Sequence, residues 1–313
     1  MKKNIIHGAL FGVAIGDALG VPAEFRNRQT LELEPIQDFE GYKSHHQPPG
    51  TFSDDTSLTF CLAESLCQGY DMYDIGNRFI HWLDNNYWTA GGEVFDVGIT
   101  THRAISRLKT GTKPSLAGDF EEGCNGNGSL MRILPLLFYI RDFDIEKRYA
   151  ITKEVSSITH GHIRSVIACF YYLEFALELL KGSDKQTAYN NAGKKVHEFI
   201  TGKRIIKSEI SLFAPLLHDD ITKLSTYAIP SYGYVMNTIK ASIYCFMTTD
   251  NYKDATLMAV NLGNDSDTTG AVTGGLAGLY YGFDSIPEKW IKEIKRSDDI
   301  KDLCDRLTAA MNM

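Results

Sequence analysis

Two short acidic runs carry most of the chemistry visible in this sequence. The stretch NLGNDSDTTGAVTGG, residues 261–275, sets Asp265 and Asp267 one residue apart, adds Thr268 and Thr269, then enters glycine-spaced apolar residues. Carboxylates that close repel one another, so something must hold them together at the mouth of an apolar segment. A second run, PPGTFSDDTSLTF at residues 48–60, places Ser53, Asp54, Asp55 and Thr56 just ahead of a helical pattern. Helix capping explains part of this, because Ser or Asp accepts hydrogen bonds from the first free N–H groups and acid favours the positive end of the helix dipole. Capping accounts for one aspartate of a pair and poorly for both. Four carboxylates and several hydroxyls in two turns form an all-oxygen set of the kind Mg²⁺, Mn²⁺ or Ca²⁺ prefers, whereas zinc favours His or Cys. The pattern therefore has two readings, a divalent-cation site or a pair of capped, solvated turns.

Helices must position these runs. TSLTFCLAESLCQGY follows the Ser53–Asp55 run, and DMYDIGNRFIHWLDNNYW, SVIACFYYLEFALELLKG, MNTIKASIYCFMTT and NYKDATLMAVNLG repeat apolar residues at three-to-four spacing. Strand-like alternation is scarce, and no Pro-, Gly- or Ser-rich linker divides the chain. The expectation is one all-α, multi-helix domain over residues 1–313. The segment Asn27–Ser53 is the longest irregular stretch and reads as a surface loop near the site; His45 and His46 lie in it with no partner visible. Gly8, Gly12, Gly16 and Gly20 fall every fourth residue, as do Gly270, Gly274, Gly278 and Gly282. Positions i and i+4 share a helix face, and each helical glycine costs roughly 0.5–1 kcal/mol against alanine. Close packing of two glycine-faced helices would compensate, and would bring Glu24 near Asp265 and Asp267. Chance in a chain with 27 glycines is the alternative.

Composition narrows the classes. The 313 residues are 43% hydrophobic with a net charge of −7, and no basic stripe suggests a dedicated nucleic-acid surface. Six cysteines (Cys61, Cys67, Cys124, Cys169, Cys245 and Cys304) are scattered without a CxxC pair, which reads as reduced, mostly buried thiols. Two lysines precede an apolar run at the N-terminus, but Gly8, Gly12, Gly16 and Asp17 interrupt it. No apolar run is expected to reach membrane-spanning length. A cytoplasmic monomer with no membrane partner is the expectation.

Five motifs in order, GALFGVAIGDALGVPAEF, FSDDTSLT, GNGSLMRILPL, THGH and GNDSDTTGAVTGGLAGLYYG, resemble the ADP-ribosylglycohydrolase family, of the type that includes dinitrogenase reductase-activating glycohydrolase. The resemblance runs from about Ile5 to Gly282. It implies an all-α fold with two Mg²⁺ or Mn²⁺ ions at the base of a cleft, ligated by Ser53, Asp54 and Asp55 and by Asp265, Asp267 and Thr268. Ser53 departs from the usual threonine but keeps the hydroxyl; Asn264 stands where glycine is common. Glu24 matches the family's catalytic glutamate, which protonates the leaving group or polarises the attacking water. The bond cleaved joins the anomeric carbon of ADP-ribose to N or O of a modified protein or small molecule, through a transition state with oxocarbenium character.

The resemblance further implies substrate contacts from Asn127, Gly128 and Ser129, whose backbone can form an anion nest for the diphosphate. His160 is a ligand-contacting or structural histidine, and Tyr232 and Tyr234 are adenine-stacking or core aromatics. Cys124 stands three residues before Asn127, where arginine-directed members carry aspartate; that departure leans towards an O-linked or otherwise different ADP-ribosyl bond. A non-catalytic binding or structural descendant is the alternative function. A toxin-immunity protein that occludes with the loop from Asn27 to Gly50 is a third.

Overall fold

Glycine periodicity builds the centre of the fold. In the computed structural model, which describes residues 4–313, the helix Ile5–Gly20 packs antiparallel against the helix Ser266–Tyr281, the most extensive helix contact in the molecule. A Cβ added at Gly8 would lie 2.3 Å from the Gly278 carbonyl oxygen, one at Gly12 2.2 Å from that of Gly274, and one at Gly16 2.1 Å from that of Gly270. The backbones therefore touch where any side chain would collide. At the end of the row Gly20 meets Asp267, whose Cα would be 2.3 Å from an added Cβ. Gly282 is not part of this contact. It takes φ +92 after the last turn and ends the helix, and its Cβ position faces open space.

Both helices are apolar on nearly every side, as a helix sunk in a core must be. All 16 residues of Ile5–Gly20 and every residue from Ser266 to Leu279 are buried. Helices Ile163–Leu180, Val235–Met247, Tyr252–Val260 and Ser297–Ala310 surround the pair. Among the described residues there are 17 α-helices and no β-strand beyond two isolated bridges, Asp119 with His160 and Gly126 with Tyr234. The all-α expectation holds. All six cysteines are unpaired, four of them buried.

Two expectations need correction. The stretch Ile5–Ala23 does reach membrane-spanning length, with a mean hydropathy of 1.5 over a window that is entirely buried inside the protein. Its glycines and small residues, which made the run look interrupted, are the contact face for its partner helix. The segment Asn27–Ser53 is not irregular throughout: Asn27 caps a short helix, Arg28–Leu33, by accepting from Thr30 N at 2.9 Å.

Gly12→Ala is expected to destabilise the protein by about 3 kcal/mol or more, the upper end for overpacking, because the Gly274 carbonyl cannot move without shifting a whole helix. Urea unfolding of the variant beside Gly91→Ala, whose site is open and whose backbone is not left-handed, checks this.

Candidate functional site

The site begins with Asp17, the one carboxylate on the helix Ile5–Gly20. It is fully buried and accepts from Ser53 N (2.9 and 3.0 Å), Thr56 N (3.0 Å) and Thr56 Oγ1 (2.6 Å). Asp17 thus satisfies the orphan N–H groups at the start of the helix Asp54–Leu66 from outside it, alongside the N-cap Ser53, whose hydroxyl accepts from Asp55 N at 3.3 Å. The neighbouring helix start, Ser266, is fixed by its hydroxyl donating to Gly20 O at 2.8 Å. Both aspartate turns are therefore tied to the same end of the first helix.

The expected metal residues converge. Carboxylate oxygens of Asp17, Asp55 and Asp267 lie within 4.8 Å of one another, and so do those of Glu24, Asp265 and Asp267. Thr268 Oγ1 donates to Asp55 Oδ2 at 3.3 Å and Ser53 Oγ donates to the same oxygen at 3.1 Å. Asp55 Oδ1 and Asp267 Oδ2 are buried with no hydrogen-bond partner. Burial, then neighbouring carboxylates, pushes the Asp54, Asp55 and Asp267 carboxyls well above their usual range. Buried anionic oxygens without donors, in an all-oxygen set, fit a hard divalent cation.

Above this cluster opens a cleft of about 550 Å³, a size suited to a small-molecule ligand. Glu24, Asp54, Asp96, Asp265 and Thr268 line it on one side, Gly126, Asn127, Gly128, His160 and Tyr232 on others, and no Lys or Arg is among its lining residues. Asn127 Nδ2 donates to Asp265 Oδ2 at 2.5 Å and to Thr238 Oγ1 at 2.8 Å, so this amide orients a carboxylate as well as forming the wall. His160 is buried, its Nδ1 is 2.9 Å from Thr159 Oγ1, and burial beside Arg132 pushes its pKa down to about 3. It is a neutral hydrogen-bonding group at working pH. Asn264 takes φ +61, the left-handed conformation glycine supplies in such turns, and so the turn survives the substitution. Its amide and carbonyl pair with Arg26 O and Phe25 N, both at 2.7 Å.

Ser129 and Tyr234 are not at the cleft. Ser129 is fully buried against Ser156 Oγ (3.0 Å) and Cys169 Sγ (3.5 Å), since the chain has turned its next side chain inward after Gly128. Tyr234 is half-buried under the Arg164 guanidinium, 5.8 Å from ring to cation. Cys124 ends the short turn Glu122–Cys124 and does not line the cleft either.

Three contributors escaped the sequence. Asp17 gave one signal, a lone acid in a mostly apolar helix. Asp96 sits at φ +54 in the loop before the helix Ile99–Lys109, and its oxygen lies within 4.8 Å of ligand atoms of Glu24 and His45. His45, which has no partner visible in the sequence, places Nε2 on Glu24 Oε2 in a short hydrogen bond. Burial pushes Glu24 up to about 7, against the pull of His45.

A family profile described as ADP-ribosylglycohydrolase matches residues 2–313. The chain belongs to the ADP-ribosylglycohydrolase family, a family of glycosidic hydrolases. It is 31% identical over 304 residues to ADP-ribosylarginine hydrolase Tri1 of Serratia proteamaculans (strain 568), covering 96% of this chain and 78% of that one. It is 28% identical to ADP-ribosyl-[dinitrogen reductase] glycohydrolase of Rhodospirillum rubrum, covering 96% and 95%. Among solved structures, an ADP-ribosylglycohydrolase-related protein complex superposes with a TM-score of 0.82 at 29% identity, over 99% of this chain and 98% of that one.

Two outcomes are expected. Asp17 and Glu24 have pKa values raised to about 6 and about 7, so the folded chain holds protons that the unfolded chain releases above about pH 4. Metal-stripped protein should therefore lose stability as pH rises from 5 to 8, and saturating Mg²⁺ should flatten that loss; thermal melting across the range checks both. Asp17→Asn should cost about 1–3 kcal/mol by setting an amide N–H₂ against backbone donors. It should also weaken Mg²⁺ binding roughly 10–100-fold, read by calorimetric titration.

Proposed function

We propose that this protein hydrolyses the bond between the anomeric carbon of ADP-ribose and a side-chain atom of a modified protein or small molecule, at a centre of two divalent cations. The observation that carries this reading is the pair of donorless buried oxygens, Asp55 Oδ1 and Asp267 Oδ2, beneath a cleft whose rim bears Glu24. Asp54, Asp55, Asp265 and Asp267, with the hydroxyls of Ser53 and Thr268, would hold the ions. Bound there, Mg²⁺ or Mn²⁺ supplies Lewis-acid polarisation and a template for the ribose hydroxyls.

The chain's own groups do the rest. Glu24, on the cleft lining beside Asp265, can give a proton to the leaving atom and take one from the attacking water. Asp96 faces the same space, and the acidic wall favours the positive charge that builds on the sugar as the bond breaks. The diphosphate fits the start of the helix Ile99–Lys109. Gly98 caps that helix without a side chain, and Gly98, Ile99, Thr100 and Thr101 line the cleft, so first-turn N–H groups remain for an anion. Gly126 and Gly128 allow close approach opposite, and the exposed ring of Tyr232 offers a stacking face.

Arginine is the linkage this reading favours. Cys124 is not among the residues that line the cleft. The carboxylates of Glu24 and Asp96 suit a departing guanidinium, and the arginine-directed relative is similar along nearly the whole chain.

With Mg²⁺ present, the protein should release ADP-ribose from ADP-ribosyl-arginine, followed by chromatography, and faster than from ADP-ribosyl-serine peptide. Asp267→Ala should abolish release and calorimetric binding of ADP-ribose together. Tight metal-independent binding, or no release from either substrate, would sink the reading.

A further inference from the structure

We propose that His45 is a positioning residue for the reaction: it fixes the Glu24 carboxylate at the cleft rim, an inference that rests on the role proposed for Glu24. The geometry is specific. His45 Nε2 holds Glu24 Oε2. The imidazole touches two rings in tilted contacts, Phe25 at 5.6 Å and Phe95 at 5.3 Å between centroids. Phe25 follows Glu24 at φ +63, a conformation that costs a non-glycine residue of order 1 kcal/mol or more. The reciprocal bonds of Phe25 N to Asn264 O and of Asn264 N to Arg26 O, each 2.7 Å, hold that turn in place. Phe95 precedes Asp96, so His45 also joins the two loops that carry the two rim carboxylates.

The loop carrying His45 does not need this contact to stay in place. At its start Asp38 accepts from Trp290 Nε1 at 2.8 Å. In its middle Ser44 Oγ donates to Glu24 O at 2.6 Å, and at its end Gly50 O accepts from Lys295 N at 2.9 Å. Removing the imidazole therefore frees the Glu24 side chain while leaving the backbone anchored. A carboxylate free to rotate spends less time aimed at the leaving atom, and turnover falls while ADP-ribose, held by the opposite wall and the metal residues, binds as before.

The test compares His45→Ala, His45→Gln and Glu24→Gln, singly and with His45→Ala combined with Glu24→Gln, on ADP-ribosyl-arginine with Mg²⁺. His45→Ala should lower kcat about tenfold or more with KM within about twofold. Its melting temperature and calorimetric ADP-ribose affinity should match wild type. Gln places an amide donor near the position of Nε2, so His45→Gln should recover a substantial part of kcat. In the Glu24→Gln background His45→Ala should add no further loss, because both substitutions act through one group. Wild-type kcat in His45→Ala, failure of Gln to exceed Ala, or full additivity with Glu24→Gln would each overturn the proposal alone. An inactive wild type, or a fully active Glu24→Gln, would take down the reading of Glu24 and this proposal with it.

Discussion

Backbone-to-backbone contact between two helices governs the geometry of everything else. Side chains usually hold packed helices 8–10 Å apart; here glycines remove them along one row, and the chains approach until Cα meets carbonyl oxygen. That approach fixes register as well as distance, because glycine must face glycine at successive turns. It also decides where the ends fall. Gly20 abuts Ser266 and Asp267, so Glu24 and the Asp265–Thr268 turn arrive at one place without any long side chain reaching across.

At that place the protein tolerates an arrangement that would otherwise be costly. Several carboxylates lie within a few ångströms of one another under a cleft with no lysine or arginine in its lining. Some of their oxygens are satisfied by fixed donors: Asp17 by the backbone at Ser53 and Thr56, Asp265 by Asn127, Asp55 by Thr268 and Ser53. Others are left open. Partial satisfaction of this kind makes little sense for stability alone, since a buried oxygen without a partner costs free energy. It makes sense for a site that keeps ligand positions pointing at a common centre.

What the sequence disclosed follows from how locally each feature is encoded. The Ser-Asp-Asp and Asp-x-Asp-Thr runs were legible because both helix starts concentrate acid in four residues. The glycine rows were legible because a helix repeats its face every fourth residue. Residue-by-residue assignment along Asn127, Gly128 and Ser129 was less secure, for successive side chains in a turn point different ways, and Ser129 turned into the core. Tyr234 carries no local signal that separates stacking from packing, and it sits half-buried beside the core, off the cleft lining. His45 and Asp96 sit in loops with no periodicity, and each acquires its meaning from a partner distant in sequence. No local pattern carries such information.

The central helix pair has a consequence for synthesis. Ser266 and Gly20, which bond to each other, are 246 residues apart in the chain. At about 5–20 residues per second on the ribosome, the first helix waits on the order of tens of seconds for the partner that covers its glycine face. During that interval its row of glycines has no partner helix to close against. The contact that sets the centre of the finished protein thus closes only after most of the chain has been made.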